Sequence, residues 1–141
     1  MVFNKAQWSH CPLSRKVGNL KMSQELMSGG NYRGMDLKGL IAPGKELIDC
    51  DFSNSDLSGA DLSKSDLRGS SFQNARLRAV NLSGAYLNRC DLSNGDFSDA
   101  DLSDANLTGS IRFGAIFTNA KLKGSRDHNA SVVGEKWHPD A

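Results

Sequence analysis

Aspartate recurs through the middle of this chain at a fixed interval, at Asp51, Asp56, Asp61 and Asp66 and again at Asp91, Asp96 and Asp101. Paired carboxylates can exchange protons with a substrate or ligate a metal, so this spacing is the first chemistry to test. An interval of five matches neither the calcium loop nor the glycine-rich nonapeptide of calcium-binding solenoids. The aspartates are therefore expected to serve turns and backbone hydrogen bonds, with no specific metal. His10, His128 and His138 share no ligand spacing, and His10 with Cys11 is too small a cluster for zinc. No Ser/His/Asp arrangement, phosphate-cradling glycine loop or dinucleotide fingerprint is present. The expectation is a protein that is not an enzyme and needs no cofactor.

What positions the aspartates is a repeat. Within residues 50–107 a Leu or Phe returns at every fifth position, from Phe52, Leu57 and Leu62 to Phe97, Leu102 and Leu107. A small residue, mostly Ala, Ser, Cys or Gly, sits two before each. A period of five fits neither a helix nor a flat strand, so the repeat itself sets the architecture. The phase extends without insertion over residues 32–122, where only Ala42 and Arg112 among the central positions are not large and apolar.

Composition agrees with a thin, continuous core. The 141 residues suit one domain, and 38% apolar with 7% aromatic content is too little for a large globular core. Residues 1–49 carry seven Lys/Arg against four Asp/Glu, residues 50–110 five against nine, and residues 111–141 five against three. This is a mildly acidic middle, not the basic footprint of a nucleic-acid binder. No apolar run is long enough for a signal peptide or a membrane span. Cys11, Cys50 and Cys90 are odd in number and form no C-x-x-C pair, which fits a reducing compartment. A cytoplasmic protein is expected. Residues 1–29 form an N-terminal segment in which Ser23 and the Gly29-Gly30 pair predict a short helical cap over residues 23–27. Met22 is a second candidate for the natural start. Residues 30–124 form the repeat domain, and residues 125–141 a tail that caps it or contacts another chain.

The units Ala60-Asp-Leu-Ser-Lys, Ala100-Asp-Leu-Ser-Asp and Ala105-Asn-Leu-Thr-Gly resemble those of the pentapeptide-repeat family. That resemblance implies an all-β fold: a right-handed quadrilateral β-helix of about 4–5 coils, with one unit per side and four units per coil. Each unit cannot bury its own Leu and does so by stacking. Coils of twenty residues place Tyr32, Phe52, Phe72, Leu92 and Arg112 in one column and Leu37, Leu57, Leu77, Phe97 and Phe117 in the next. At about 4.8 Å per coil the rod is roughly 23 Å long. Cys50 and Cys90 share a column two coils, or about 9.6 Å, apart, beyond disulfide reach of about 7 Å, so both are buried fillers. Met35, Leu40 and Lys45 in place of small residues predict an irregular first coil with a looser corner at Pro43-Gly44. A charge inside a dry column is costly, so Arg112 predicts a bulge in which Ile111, Phe113 and Ile116 change places with it.

The resemblance implies a non-catalytic module that binds a protein partner. The candidate surface comprises Arg76 and Arg78, a basic pair between acidic coils, with Arg112, Phe113, Ile116, Val132, Val133 and Trp137 at the C-terminal end. That end, with Ile111 beside Phe113, Ile116, Val132, Val133 and Trp137 as exposed apolar residues, is also a candidate homodimer contact. Cross-strand charge pairing is the simpler reading of Arg76 and Arg78. The alternative function is DNA mimicry against a type II topoisomerase, DNA gyrase or topoisomerase IV, as in quinolone-resistance members of the family. Neither direct nucleic-acid binding nor a membrane is expected.

Overall fold

A computed structural model describes residues 26–127. Sixteen parallel bridges join each outward residue to the one twenty positions later, from Asn31↔Asp51 through to Asn106↔Arg126. A turn follows every bridge, so each twenty-residue coil has four sides and about five coils stack into a β-helix. Each side is only a single bridge long, and among the described residues there is neither a helix nor an extended strand.

The unit over residues 56–60 shows why the sequence repeats as it does. The Asp56 amide donates to the Met35 carbonyl of the coil below at 2.9 Å, while Leu57 and Gly59 donate upward to Arg76 and Arg78 at 2.7 and 2.9 Å. Ala60 closes the corner on the Leu57 carbonyl at 3.0 Å. One amide, that of Ser58, is left over, and Asp56 Oδ1 accepts it at 3.0 Å. The recurring aspartate thus completes the backbone account of its unit. The third residue of every four-residue turn has positive φ, as in a type II turn, and is Gly, Asn or Asp in most units. The exceptions are Lys64, Ala79 and Arg89.

The core is the set of columns. Central residues from Tyr32 to Leu107 are buried, with Tyr32 on Phe52 at 5.2 Å, Phe52 on Phe72 at 5.1 Å and Phe97 on Phe117 at 5.2 Å, all stacked. Each buried Leu or Phe is worth about 1.5–3 kcal/mol of transfer free energy, which no single unit could obtain alone.

Three expectations are corrected or sharpened. The helical cap over residues 23–27 is not supported: residues 26 and 27 are non-helical and residues 23–25 lie outside the described range. Gly30 instead closes an ordinary corner on the Met27 carbonyl at 3.2 Å, with Gly29 at φ 76° and its amide on Ile48 O at 2.8 Å. The Tyr32 hydroxyl engages both the amide and the carbonyl of Met27 at the base of the first column. The bulge at Arg112 is absent, since Leu92 donates to Ile111 O at 2.7 Å and Ile111 to Cys90 O at 2.9 Å in unbroken register. Exchanging the side chains would require a one-residue slip that breaks those bonds. The first coil is irregular in a specific way. The Ser65 hydroxyl accepts the Lys45 amide and donates to Ala42 O at the Pro43-Gly44 corner, and Ser70 does the same for Cys50 and Leu47.

Candidate interaction surface

Each side presents two outward positions, one before and one after the central residue. The first position is mainly Asp or Asn, because its oxygen takes the amide two residues on; Asn31, Asn81 and Asn106 do this as Asp51, Asp91 and Asp101 do. Burial alone would raise the Asp56 and Asp101 carboxyls. The hydroxyl and amide of Ser58 and Ser103, aided by Lys38 and Arg76 at Asp56 and Lys121 at Asp101, hold both below the usual carboxylate value. The Arg68 guanidinium lowers Asp66 most, meeting it as a fork at 2.8 and 2.6 Å. Among the described residues no group of three or more His, Cys, Asp or Glu is placed to hold a metal ion. His10, His128, His138 and Cys11 lie outside the described range.

Cys50 and Cys90 are free thiols buried in one column with Ser70 between them. Their sulfurs donate to the Met27 and Leu67 carbonyls at 3.2 and 2.9 Å, as Ser70 donates to Leu47. Burial pushes the Cys50 thiol up to about 11 and that of Cys90 to about 12, so neither is a nucleophile.

Stacking sorts charge by coil. Residues 71–90 contain Arg76, Arg78 and Arg89 with no acid; residues 91–110 contain Asp91, Asp96, Asp99, Asp101 and Asp104 with no base. Residues 111–127 return to basic, with Arg112, Lys121, Lys123 and Arg126 against Asp127. Arg78 reaches up to Asp96 at 3.7 Å and Asp99 at 3.6 Å, so this half of the basic pair does pair across coils. Arg76 lies in an open polar groove of about 420 Å³ with Asp36, Lys38, Asn54, Asp56 and Asn74. A second open groove, about 520 Å³, is lined by Ile48, Asp49, Arg68, Gly69, Asn88 and Arg89.

At the C-terminal end, Arg112 is not at the surface: it is fully buried above Leu92, with Asp127 at 3.9 Å. Phe113 and Ile116 are exposed, and Ile111 joins them. Val132, Val133 and Trp137 lie outside the described residues. Of the apolar residues expected at this end, Ile111, Phe113 and Ile116 are exposed as the sequence suggests.

Four sides of five residues, closed by repeating corners, define a pentapeptide β-helix. The family described as Pentapeptide repeats matches residues 33–69, 46–84 and 70–109 in eight copies, and the chain belongs to that family. A pentapeptide repeat protein from the Arabidopsis thaliana thylakoid lumen is similar at 30% identity, over 71% of this chain and 63% of that one, with a TM-score of 0.55. The chain therefore spans less than two thirds of that relative's length. A second pentapeptide repeat protein, from the cyanobacterium Cyanothece 51142, shares the fold at 23% identity over 77% and 91% of the two chains, with a TM-score of 0.53. No curated protein matches the sequence.

Proposed function

We propose that this protein is a non-catalytic rod that binds a protein partner through its sides. The observation that carries this reading is the closure of the repeat: backbone and Asx bonds use up the unit, leaving among the described residues sides without long loops that carry two open grooves. Such a scaffold displays residues rather than enclosing a substrate. Its place in this reading is the cytosol, where buried unpaired thiols stay reduced. No helix among the described residues is long and apolar enough to cross a membrane.

DNA mimicry is the weaker reading on charge. Duplex DNA presents about one negative charge per 1.7 Å of axis. Here the acidic coil of residues 91–110 is flanked by basic coils on both sides, so no acidic stripe runs along the rod. Photo-crosslinkers placed one at a time on the outward positions of all four sides, in cells of the native host, test the proposal. A crosslinked protein from at least one side is expected; silence from all four overturns it. Unchanged gyrase supercoiling at micromolar protein is expected in parallel.

A further inference from the structure

Three outward positions of the last described coil are apolar on sides where every lower coil is polar, whereas Ile41 and Tyr86, the exposed apolar residues at the same position lower down, stand singly. At the position of Ile111 the lower coils carry Asn31, Asp51, Ser71 and Asp91; at that of Ile116 they carry Asp36, Asp56, Arg76 and Asp96; at that of Phe113, Arg33, Ser53, Gln73 and Ser93. Ile111 and Ile116 cannot accept the amide two residues on, as Asp91 and Asp96 do for Ser93 and Ser98 at 3.0 Å. They gain no burial in exchange, with Ile111, Phe113 and Ile116 at 48%, 54% and 46% exposure. The three side chains wrap one corner of the rod, at which Gly114 presents no side chain. Within the fold these residues cost hydrogen bonds and expose apolar surface, so the fold does not explain them.

Resting on the reading of the rod as a partner-binding module, we propose that this corner docks an amphipathic, basic segment of a partner protein. Apolar anchors of that segment would cover Ile111, Phe113 and Ile116. Its Lys or Arg residues would meet Asp91 and Asp96, the bridge partners directly beneath Ile111 and Ile116. Asp91 is met by two neutral donors, the Ser93 amide at 3.0 Å and the Gln73 side-chain amide at 2.6 Å. Asp96 shares Arg78 with Asp99 above Arg76 of the coil beneath, so three carboxylates face two arginines and the rim stays net negative. The same charge disfavours a second copy, because a two-fold contact through this corner sets one acidic rim against the other.

The test uses the full chain and a fluorescent helical peptide with Leu on one face and Lys on the other, read by anisotropy. Controls are a scrambled Lys/Leu peptide and a Leu/Glu version. Micromolar binding of the Leu/Lys peptide is expected, weakened at least tenfold by I111D/I116D and several-fold by D91N/D96N. Because the I111D/I116D exchange restores the pattern of the lower coils, its melting temperature should be unchanged or raised, which separates lost docking from lost folding. Equal binding of the scrambled or Leu/Glu peptide, or indifference to the substitutions, overturns the proposal. So does a dimer by light scattering that I111D/I116D dissolves, or binding that appears only when residues 128–141 are removed, since the occupant is then a second copy or the chain's own end. Crosslinks from another side with none here would refute this site while leaving the rod as a binding module.

Discussion

The hydroxyl of Ser70 sits inside the corner of the coil beneath it, accepting the Cys50 amide at 3.0 Å and donating to the Leu47 carbonyl at 2.9 Å. Other corners close by a direct backbone bond, as Ser70 itself does on Leu67 at 3.1 Å. Ser70→Ala removes both partners at a buried point, and a buried polar group left unsatisfied costs about 1–3 kcal/mol. The expected loss is about 2 kcal/mol by urea denaturation. Ser58→Ala on the exposed side is expected to cost well under half of that.

The lowered carboxyls of Asp56, Asp66 and Asp101 contribute to the acid limb of stability. Each folded pKa lies below the unfolded value of about 3.9. Their contribution is therefore complete above that value and is lost as pH falls through the folded pKa. All three are solvent-accessible, so each share is small. Asp101→Asn keeps an oxygen for the Ser103 amide, as Asn81 does for Ser83. It should leave the urea midpoint at pH 7 nearly unchanged and make its decline between pH 5 and about 2 shallower. A steeper decline would contradict the assignment.

The thiols make the opposite kind of prediction, on the alkaline side. Burial raises Cys90 to about 12 against about 8.5 for a free thiol. Its stabilising effect is thus complete below the unfolded pKa and is lost as pH rises toward the folded one. At pH 8 the thiolate fraction is lower by on the order of a thousandfold. Cys90 in the folded chain should react with a disulfide reagent about that much more slowly than after unfolding in urea. Cys90→Ser should fold normally, because Ser70 already fills the same column with the same carbonyl contact one coil below.

The columns were legible because a covalent phase of five leaves one way to bury every Leu, and Asp56 or Asp101 recurring beside it could only be part of the unit. Gly29-Gly30 misled because positive φ follows a helix end as readily as it occupies a turn. Only the coil above, through the Gly29 amide on Ile48, distinguishes the two. At Arg112 polarity argued for a bulge, but the backbone bonds of Ile111 hold the register and leave the guanidinium inside. The left-handed corner column, with Gly34, Asn54, Asn74, Asn94 and Gly114 on one edge, was written in the sequence as a run of Gly and Asn two places after each centre. The Ser65 and Ser70 insertions were not, since a small residue two before the centre reads as filler whether or not its hydroxyl enters a corner. On the candidate surface, the pairing of Arg78 and the exposure of Ile111, Phe113 and Ile116 could be foreseen from the coil layout, whereas the burial of Arg112 could not.

Gly95 separates the repeat pattern from the packing most sharply. Its position two before the centre is filled by Ala75, Ala85 and Ala115 elsewhere, and its backbone is not in the left-handed region. On pattern alone Gly95→Ala should stabilise by about 0.4–1 kcal/mol, through a less flexible unfolded chain. In the fold a Cβ at Gly95 would lie 2.7 Å from Phe97 Cε2 and 3.2 Å from the Leu92 carbonyl oxygen. Phe97 cannot swing away freely, because it is buried and stacked on Phe117 at 5.2 Å. Gly95→Ala is therefore expected to destabilise by about 1–3 kcal/mol, the usual range for overpacking. Phe97→Leu vacates the ring and restores the residue type of Leu77 beneath it, at its own cost in packing. In a double-mutant cycle by urea denaturation, Gly95→Ala should cost much less in the Phe97→Leu background than in the native one. Equal cost in both backgrounds would show that the Leu92 carbonyl, not the ring, excludes the methyl group.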